Sequence, residues 1–399
     1  MTTDAPTRGQ VPVSPGQLEW LTHEISTWQG EGLLTEAQAA AIAGRYRAGR
    51  RFSIGRLLLT LGAMFVGVGL IWLVAANLDA LSPLGRFVAV AAIWLAVLVT
   101  GEVLARRRTS HPGIPAAVVG AVRLLAALAF GAVVLQAADS LDSSTQTGLA
   151  GYWALGTLVH AYAARATMPL LVGIATGAFW VLTRSGNDPS GLAVVLCLTG
   201  AAVLAVSLAV VHQRWLRGFA APWREAGALL ALVGLFVAAL PFVDAAHFAW
   251  TPALAMVVAA AGAAAVAALV LASGTDRFEP LGALAVSGIA IGLVLWDAGS
   301  DTDAPLTTGA VLHAVLSVVV YVLAAVAVAV VGTLRDSWRL TGLATAALVV
   351  FTTFQSFAVF ARVITGAWLF LLLGLVFLAT GVLFDRARRE IAANLEDAD

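Results

Sequence analysis

Residues 250–272 read WTPALAMVVAAAGAAAVAALVLA, a run without one charged side chain. A helix rises 1.5 Å per residue, so ~20 apolar residues cross the ~30 Å hydrocarbon core of a bilayer. A helix on the surface of a soluble protein keeps one polar face, and this run has none. The stretch therefore reads as a membrane span, and it is not alone. Comparable runs lie at roughly 54–76, 86–105, 115–137, 147–164, 168–183, 190–211, 224–243, 278–296, 308–332, 340–358 and 364–384. The fourth and fifth are the shortest and carry Gly, Thr and Pro169. Two spans is the simpler reading there, and one bent re-entrant pair is the alternative. The last two are divided only around Arg362.

Composition agrees. The 399 residues are 60% hydrophobic and 12% charged, against about 45–50% and about 25% in soluble domains. Only lipid can accept that excess. The expected fold is an all-α polytopic transmembrane bundle of about twelve spans over residues 54–384. It is preceded by a disordered tail (1–13) and a small cytoplasmic helical hairpin (14–50), and followed by a cytoplasmic tail (385–399). The first long apolar run begins near Ile54, too far in for a signal peptide, so insertion is expected to start with a true span.

In the hairpin, Ser14 can cap a first helix with Pro15 at its first position and Gln17 closing a capping box. Leu18, Leu21, Ile25 and Trp28 make one apolar stripe, and Gly30 and Gly32 end it. Thr35 and Gln38 repeat the capping box for a second helix, whose apolar face is Ala39, Ile42, Ala43 and Tyr46. So small a unit cannot bury its own core, so it is expected to pack on the membrane domain, on a protein partner or on a second copy.

All 23 basic residues are Arg. With twelve alternating spans and the N-terminus inside, Arg86, Arg184 and Arg362 fall outside, Arg123 falls within a span, and every other Arg falls on the side of the termini. That is the distribution of the positive-inside rule, and it places both ends in the cytoplasm of a protein of the cell membrane. The outer segments carry Asp79, Asp139, Asp142, Asp188, Asp244, Asp297, Asp301 and Asp303 and no Glu; turn and cap chemistry is the simpler reading, and an acidic outer surface that binds cations or a basic partner is the alternative.

Net charge is zero, which argues against a nucleic-acid partner; membrane lipids are the expected surroundings. The single cysteine, Cys197, excludes an internal disulfide and a Cys-based zinc site. Gly67-Val68-Gly69 lies inside a span with no strand before it, and no phosphate loop, HExxH or GxSxG occurs. No catalytic residue, metal site or cofactor is expected.

Ionisable residues within a membrane mark candidate sites. Glu102, in the cytoplasmic third of the second span, and Arg123, about two turns into the third from the same side, form the strongest pair. His160 and His313 are lone histidines with no carboxylate near in sequence. Gln136 and Gln355 lie near outer span ends, where they bridge helices more often than they bind ligands. Gly173 with Gly177 and Gly288 with Gly292 have the spacing of close helix contacts. Trp72, Trp223, Trp250, Trp296 and Trp338 fit an aromatic belt. On the outer face the candidates are Asn77, Asp79 and Asp139.

Three pieces of the chain carry a family likeness: the hairpin with Trp28, Gly32, Leu33, Leu34, Thr35, Gln38 and Tyr46; the Gly-rich first span LLLTLGAMFVGVGLIWLVAAN; and the turn Ala75-Ala76-Asn77-Leu78-Asp79 followed by Pro83 and Arg86. Over residues 18–104 the chain resembles the predicted membrane protein family "domain of unknown function 2157". The resemblance implies a membrane location and no activity.

Three functions remain in view. Twelve spans, short loops and Glu102–Arg123 favour a transporter- or flippase-like protein. The capped hairpin suits a non-catalytic membrane scaffold that recruits a partner. An enzyme acting on a lipid-linked substrate would use Asp79 or Asp139 as base or metal ligand.

Overall fold

A computed structural model of the chain describes residues 11–13, 15–48, eight positions between 58 and 69, 82–110, 114–140, 148–185, 190–240, 242–296 and 308–355. Two helices form the hairpin, α1 (Pro15–Gly30) and α2 (Glu36–Ala43). Ten further helices are α3 (Pro83–Ser110), α4 (Ala116–Ser140), α5 (Leu149–Ala164), α6 (Thr167–Ser185), α7 (Gly191–Trp215), α8 (Arg217–Ala238), α9 (Pro252–Leu271), α10 (Phe278–Leu295), α11 (Thr308–Leu334) and α12 (Trp338–Gln355). The fold is an all-α helical bundle. Each predicted span from the second to the eleventh corresponds to a helix, most within a few residues of the expected bounds; the seventh, expected at 224–243, starts seven residues earlier at Arg217 and ends at Ala238. The twelfth span, Ser14 and most of the first span lie outside the described residues.

Among the described residues, seven helices are long and apolar enough to cross a membrane: Pro83–Ser110, Ala116–Asp139, Gly191–Trp215, Arg217–Ala238, Pro252–Leu271, Gly274–Leu295 and Thr308–Leu334. Thr167–Thr183 is a shorter apolar helix. The protein is an integral membrane protein. The fourth and fifth predicted spans are two separate helices joined at Arg165, which takes the left-handed conformation (φ 48°).

The hairpin follows its capping chemistry. The Thr35 hydroxyl accepts from the Gln38 backbone N–H, and the Gln38 side chain accepts from the Thr35 N–H at 3.0 Å. Gly32, at φ 76°, turns the chain after α1. Ile25 and Ala39 are the buried pair where the stripes meet. Two details depart from the sequence reading. Helix α2 stops at Ala43, because Gly44 and Arg45 turn the chain, so Tyr46 is not on its apolar face. Val11–Val13, expected in the tail, pair in parallel with Tyr46–Ala48, Val11 opposite Tyr46.

Helix α7 is the centre of the second half, with α8, α9 and α10 packed around it. Of its apolar window 61% is buried, against 11% for α3, which leaves α3 at the periphery. The largest core joins Leu192 and Val195 of α7, Leu232 and Leu235 of α8, Leu293 of α10, Tyr321 of α11 and Phe351 of α12. The Tyr321 and Phe351 rings stack at 3.7 Å. Cys197 is buried in α7.

Small residues set the crossings. A Cβ on Gly173 would lie 2.8 Å from Leu158 of α5, and one on Gly177 would lie 3.7 Å from Ala154, so this pair faces a neighbouring helix. Gly288 and Gly292 meet nothing within 4 Å. A close crossing lies at α7–α8, where a Cβ on Gly227 would come within 2.6 Å of a Val206 methyl and 2.9 Å of the Val206 backbone nitrogen. Backbone cannot move aside without the helices parting. Gly227→Leu is expected to lower the thermal midpoint of the detergent-solubilised protein by the equivalent of about 1–3 kcal/mol of overpacking. Gly288→Leu is expected to leave it nearly unchanged, and equal melting of the two variants would contradict this packing.

Candidate functional site

Helices α3, α4 and α5 run alternately up and down, so the end of α3, the start of α4 and the end of α5 share one level. Glu102 lies eight residues before the last residue of α3, Arg123 seven after the first of α4, and His160 four before the last of α5. At 1.5 Å per residue these positions are about 6–12 Å in from the helix ends.

The three side chains meet there. Arg123 grips the Glu102 carboxylate with both ends of its fork, Nε to Oε1 at 2.9 Å and Nη2 to Oε2 at 2.6 Å. Such bidentate pairs are the strong, geometrically specific ones. His160 Nε2 stands 3.1 Å from Glu102 Oε1. A carboxylate held by a guanidinium accepts, so Nε2 carries the hydrogen. The trio is largely enclosed, with side-chain exposures of 17% for Arg123, 16% for His160 and 30% for Glu102. Gly101 permits the approach of α3 to α4: a Cβ there would already touch Arg123 Cγ at 3.4 Å. His160 thus has a carboxylate partner after all, one that stands 58 residues away. Counting inward from the three helix ends is the sequence signal that brings it to the level of Glu102.

A second charged cluster was not anticipated as a unit. Glu279, in the first turn of α10, accepts from Arg224 Nε of α8 at 2.7 Å and from Arg335 Nη2, just past α11, at 2.5 Å. Arg335 also donates to Asp276 at 2.5 Å. Gln213, with its amide oxygen turned toward the two guanidiniums, accepts from Arg224 at 3.2 Å and Arg335 at 2.8 Å. Two cations and two anions balance. The Glu279 side chain is 5% exposed and that of Arg224 8%. Burial pulls the Arg335 guanidinium down, but Asp276 and Glu279 outweigh that and hold it above its ordinary range. Arg224 and Glu279 close one end of an apolar cavity of about 130 Å³ walled by Val206, Leu232, Val286 and Val328. With every charge matched, the cluster acts as a clasp on α7, α8, α10 and α11.

A third network joins aromatic side chains. Trp223 Nε1 donates to the Tyr162 hydroxyl at 3.2 Å, which lies 3.0 Å from His212 Nε2, and His212 Nδ1 donates to the Leu208 carbonyl at 2.5 Å. The carbonyl fixes the Nδ1–H, so Nε2 accepts from Tyr162. Trp223 is therefore turned inward, while Trp250 and Trp338 stay exposed.

The remaining candidates are scattered. Asp139 accepts from Gln136 at 3.1 Å within the last turns of α4. Asn77 and Asp79 lie outside the described residues. His313 donates to the Leu293 carbonyl at 3.2 Å and meets Trp296 edge-on. Gln355 is 1% exposed, and its amide has no partner among the described residues.

The bundle and its seven apolar helices define an all-α, multi-pass membrane protein. The model of the family described as Predicted membrane protein (DUF2157) matches residues 26–170. The match takes in the end of α1 and all of α2, α3, α4 and α5, and so the whole Glu102–Arg123–His160 trio, whereas the Glu279 clasp lies beyond it. No curated protein and no solved structure matches the chain.

Proposed function

We propose that the chain is a transporter- or flippase-like protein of the cell membrane, with both termini cytoplasmic and the Glu102–Arg123–His160 trio as its working site. The observation that carries this reading is the trio itself: one carboxylate shared by a guanidinium and an imidazole, on three different apolar helices. Ionisable groups at such depth gather on substrate and proton pathways. The carboxylate is the sole anion of the trio. A proton delivered to it removes the attraction toward Arg123 and weakens the bond to His160, which frees α3 to move against α4 and α5. Transport cycles turn on a two-state element of this kind. The arginine distribution supports the orientation.

The test is lipid movement in reconstituted vesicles carrying fluorescently labelled phosphatidylglycerol, read by quenching with a reductant that does not cross the bilayer. The intact protein is expected to expose inner-leaflet label. Glu102→Gln is expected to slow this by about tenfold or more, since losing a charge-assisted hydrogen bond of about 1.5–3 kcal/mol changes a barrier by that order. If the intact protein leaves inner-leaflet label protected with and without a pH gradient, the flippase reading falls. If Glu102→Gln and Arg123→Gln both move lipid at the full rate, the trio is not the site.

A further inference from the structure

Just outside the trio, toward the helix ends, lies a pocket of about 260 Å³. Three arginines line it: Arg108 from the last turn of α3, Arg123 from α4, and Arg165 from the α5–α6 junction. Among the described residues no carboxylate lines it. Arg123 is engaged by Glu102 on its inner side. Arg108 and Arg165 have no ion-pair partner among the described residues.

Two helices also begin at this pocket. Ala116 and Ala117 open α4, Thr167 and Met168 open α6, and all four line the wall. First-turn N–H groups have no partner within their helix and present partial positive charge. The two starts are close neighbours: a Cβ on Gly120 would lie in ordinary contact with Met168 Cγ, at 3.6 Å.

Arg165 adds an independent sign. It sits at φ 48°, in the left-handed region that a residue with a Cβ enters at a cost of about 1–2 kcal/mol and glycine enters freely. The strained position carries a guanidinium at the pocket wall. Backbone strain of this kind collects where a side chain has a task.

We infer that this pocket binds a phosphate group, with Arg108, Arg123 and Arg165 as its cationic ligands and the α4 and α6 N-termini as further donors. Planar guanidinium forks match the oxygens of a phosphate in pairs, and helix N-termini favour the same charge. The volume admits a phosphate or glycerophosphate head and leaves acyl chains outside, beside the apolar helices. The phosphate can come from an anionic lipid headgroup or from free inorganic phosphate. Occupancy does not require transport, so the inference stands apart from the function proposed above.

The experiment uses the full chain in a neutral detergent. One arm titrates inorganic phosphate by calorimetry. The other counts bound phosphatidylglycerol against phosphatidylcholine by native mass spectrometry. The intact protein is expected to bind at least one of the two phosphate sources and to prefer phosphatidylglycerol to phosphatidylcholine if the source is lipid. Phosphate binding alone identifies the free anion, and phosphatidylglycerol binding alone identifies the headgroup. Arg108→Gln/Arg165→Gln is expected to weaken binding by about tenfold or more. Arg106→Gln, which removes an exposed charge outside the pocket, is expected to keep it. Arg165→Gly separates fold from site: glycine relieves the strained turn, so the variant should melt no lower than the parent while binding falls. Binding of neither source by the intact protein overturns the inference, as does undiminished binding by the double variant or by Arg165→Gly.

Discussion

Glu279→Ala is expected to cost more stability than any other single charge removal in the described residues. The substitution deletes the anion that Arg224 and Arg335 share. Arg224 cannot turn to water, since it is 6% exposed, and Asp276 reaches only Arg335. Removing one partner of a buried pair costs about 3–5 kcal/mol, chiefly because the other charge is stranded. Thermal unfolding in detergent should show a large drop. Glu225 provides the contrast. Its partner Arg339 is 62% exposed and 3.6 Å away, and pairs of that kind contribute about 0–1 kcal/mol. Comparable midpoints for Glu279→Ala and Glu225→Ala would mean that the clasp does not hold the helices together.

The second large effect concerns the trio, and it is distinguished by its non-additivity. Glu102→Ala leaves Arg123 and His160 facing each other in an apolar bundle with no anion between them. Arg123→Ala leaves the carboxylate with His160 alone. Each single variant should be strongly destabilised. The double variant Glu102→Ala/Arg123→Ala strands no charge and should be more stable than the sum of the singles predicts, by about 1–3 kcal/mol of coupling. Unfolding midpoints of the four proteins measure that coupling directly. Strict additivity would show that the bidentate contact has no energetic consequence, and the proposed site would lose its physical basis.

The helices were legible in the sequence because each is a long apolar run between polar breaks, and hydropathy needs no knowledge of neighbours. The Thr35–Gln38 capping box was legible for the same reason, since cap and partner are three residues apart. The pairing of Glu102 with Arg123 could be anticipated because a short connection forces α3 and α4 to be neighbours. His160 could not be placed with them by sequence proximity, because the whole of α4 and most of α5 lie between it and Glu102. The clasp was hidden for another reason. Arg224, Asp276, Glu279 and Arg335 all sit close to helix ends, where charges are normally solvated, and only the convergence of three helix ends shows that they are buried together. Tyr46 was misread as helical because its spacing from Ile42 suits a helix, while Gly44 had already turned the chain.

The shortness of α5 bears on the bilayer itself. Its 16 residues reach about 24 Å, some 6 Å less than a typical hydrocarbon core. Its outward face, Tyr152, Leu155 and Val159, is 61–66% exposed. A helix too short for its membrane draws the two leaflets together around it, at a modest cost per ångström of mismatch. The bilayer is expected to be thinned beside the helix that carries His160, which would shorten the route between either aqueous phase and the Glu102 carboxylate along that pinched edge.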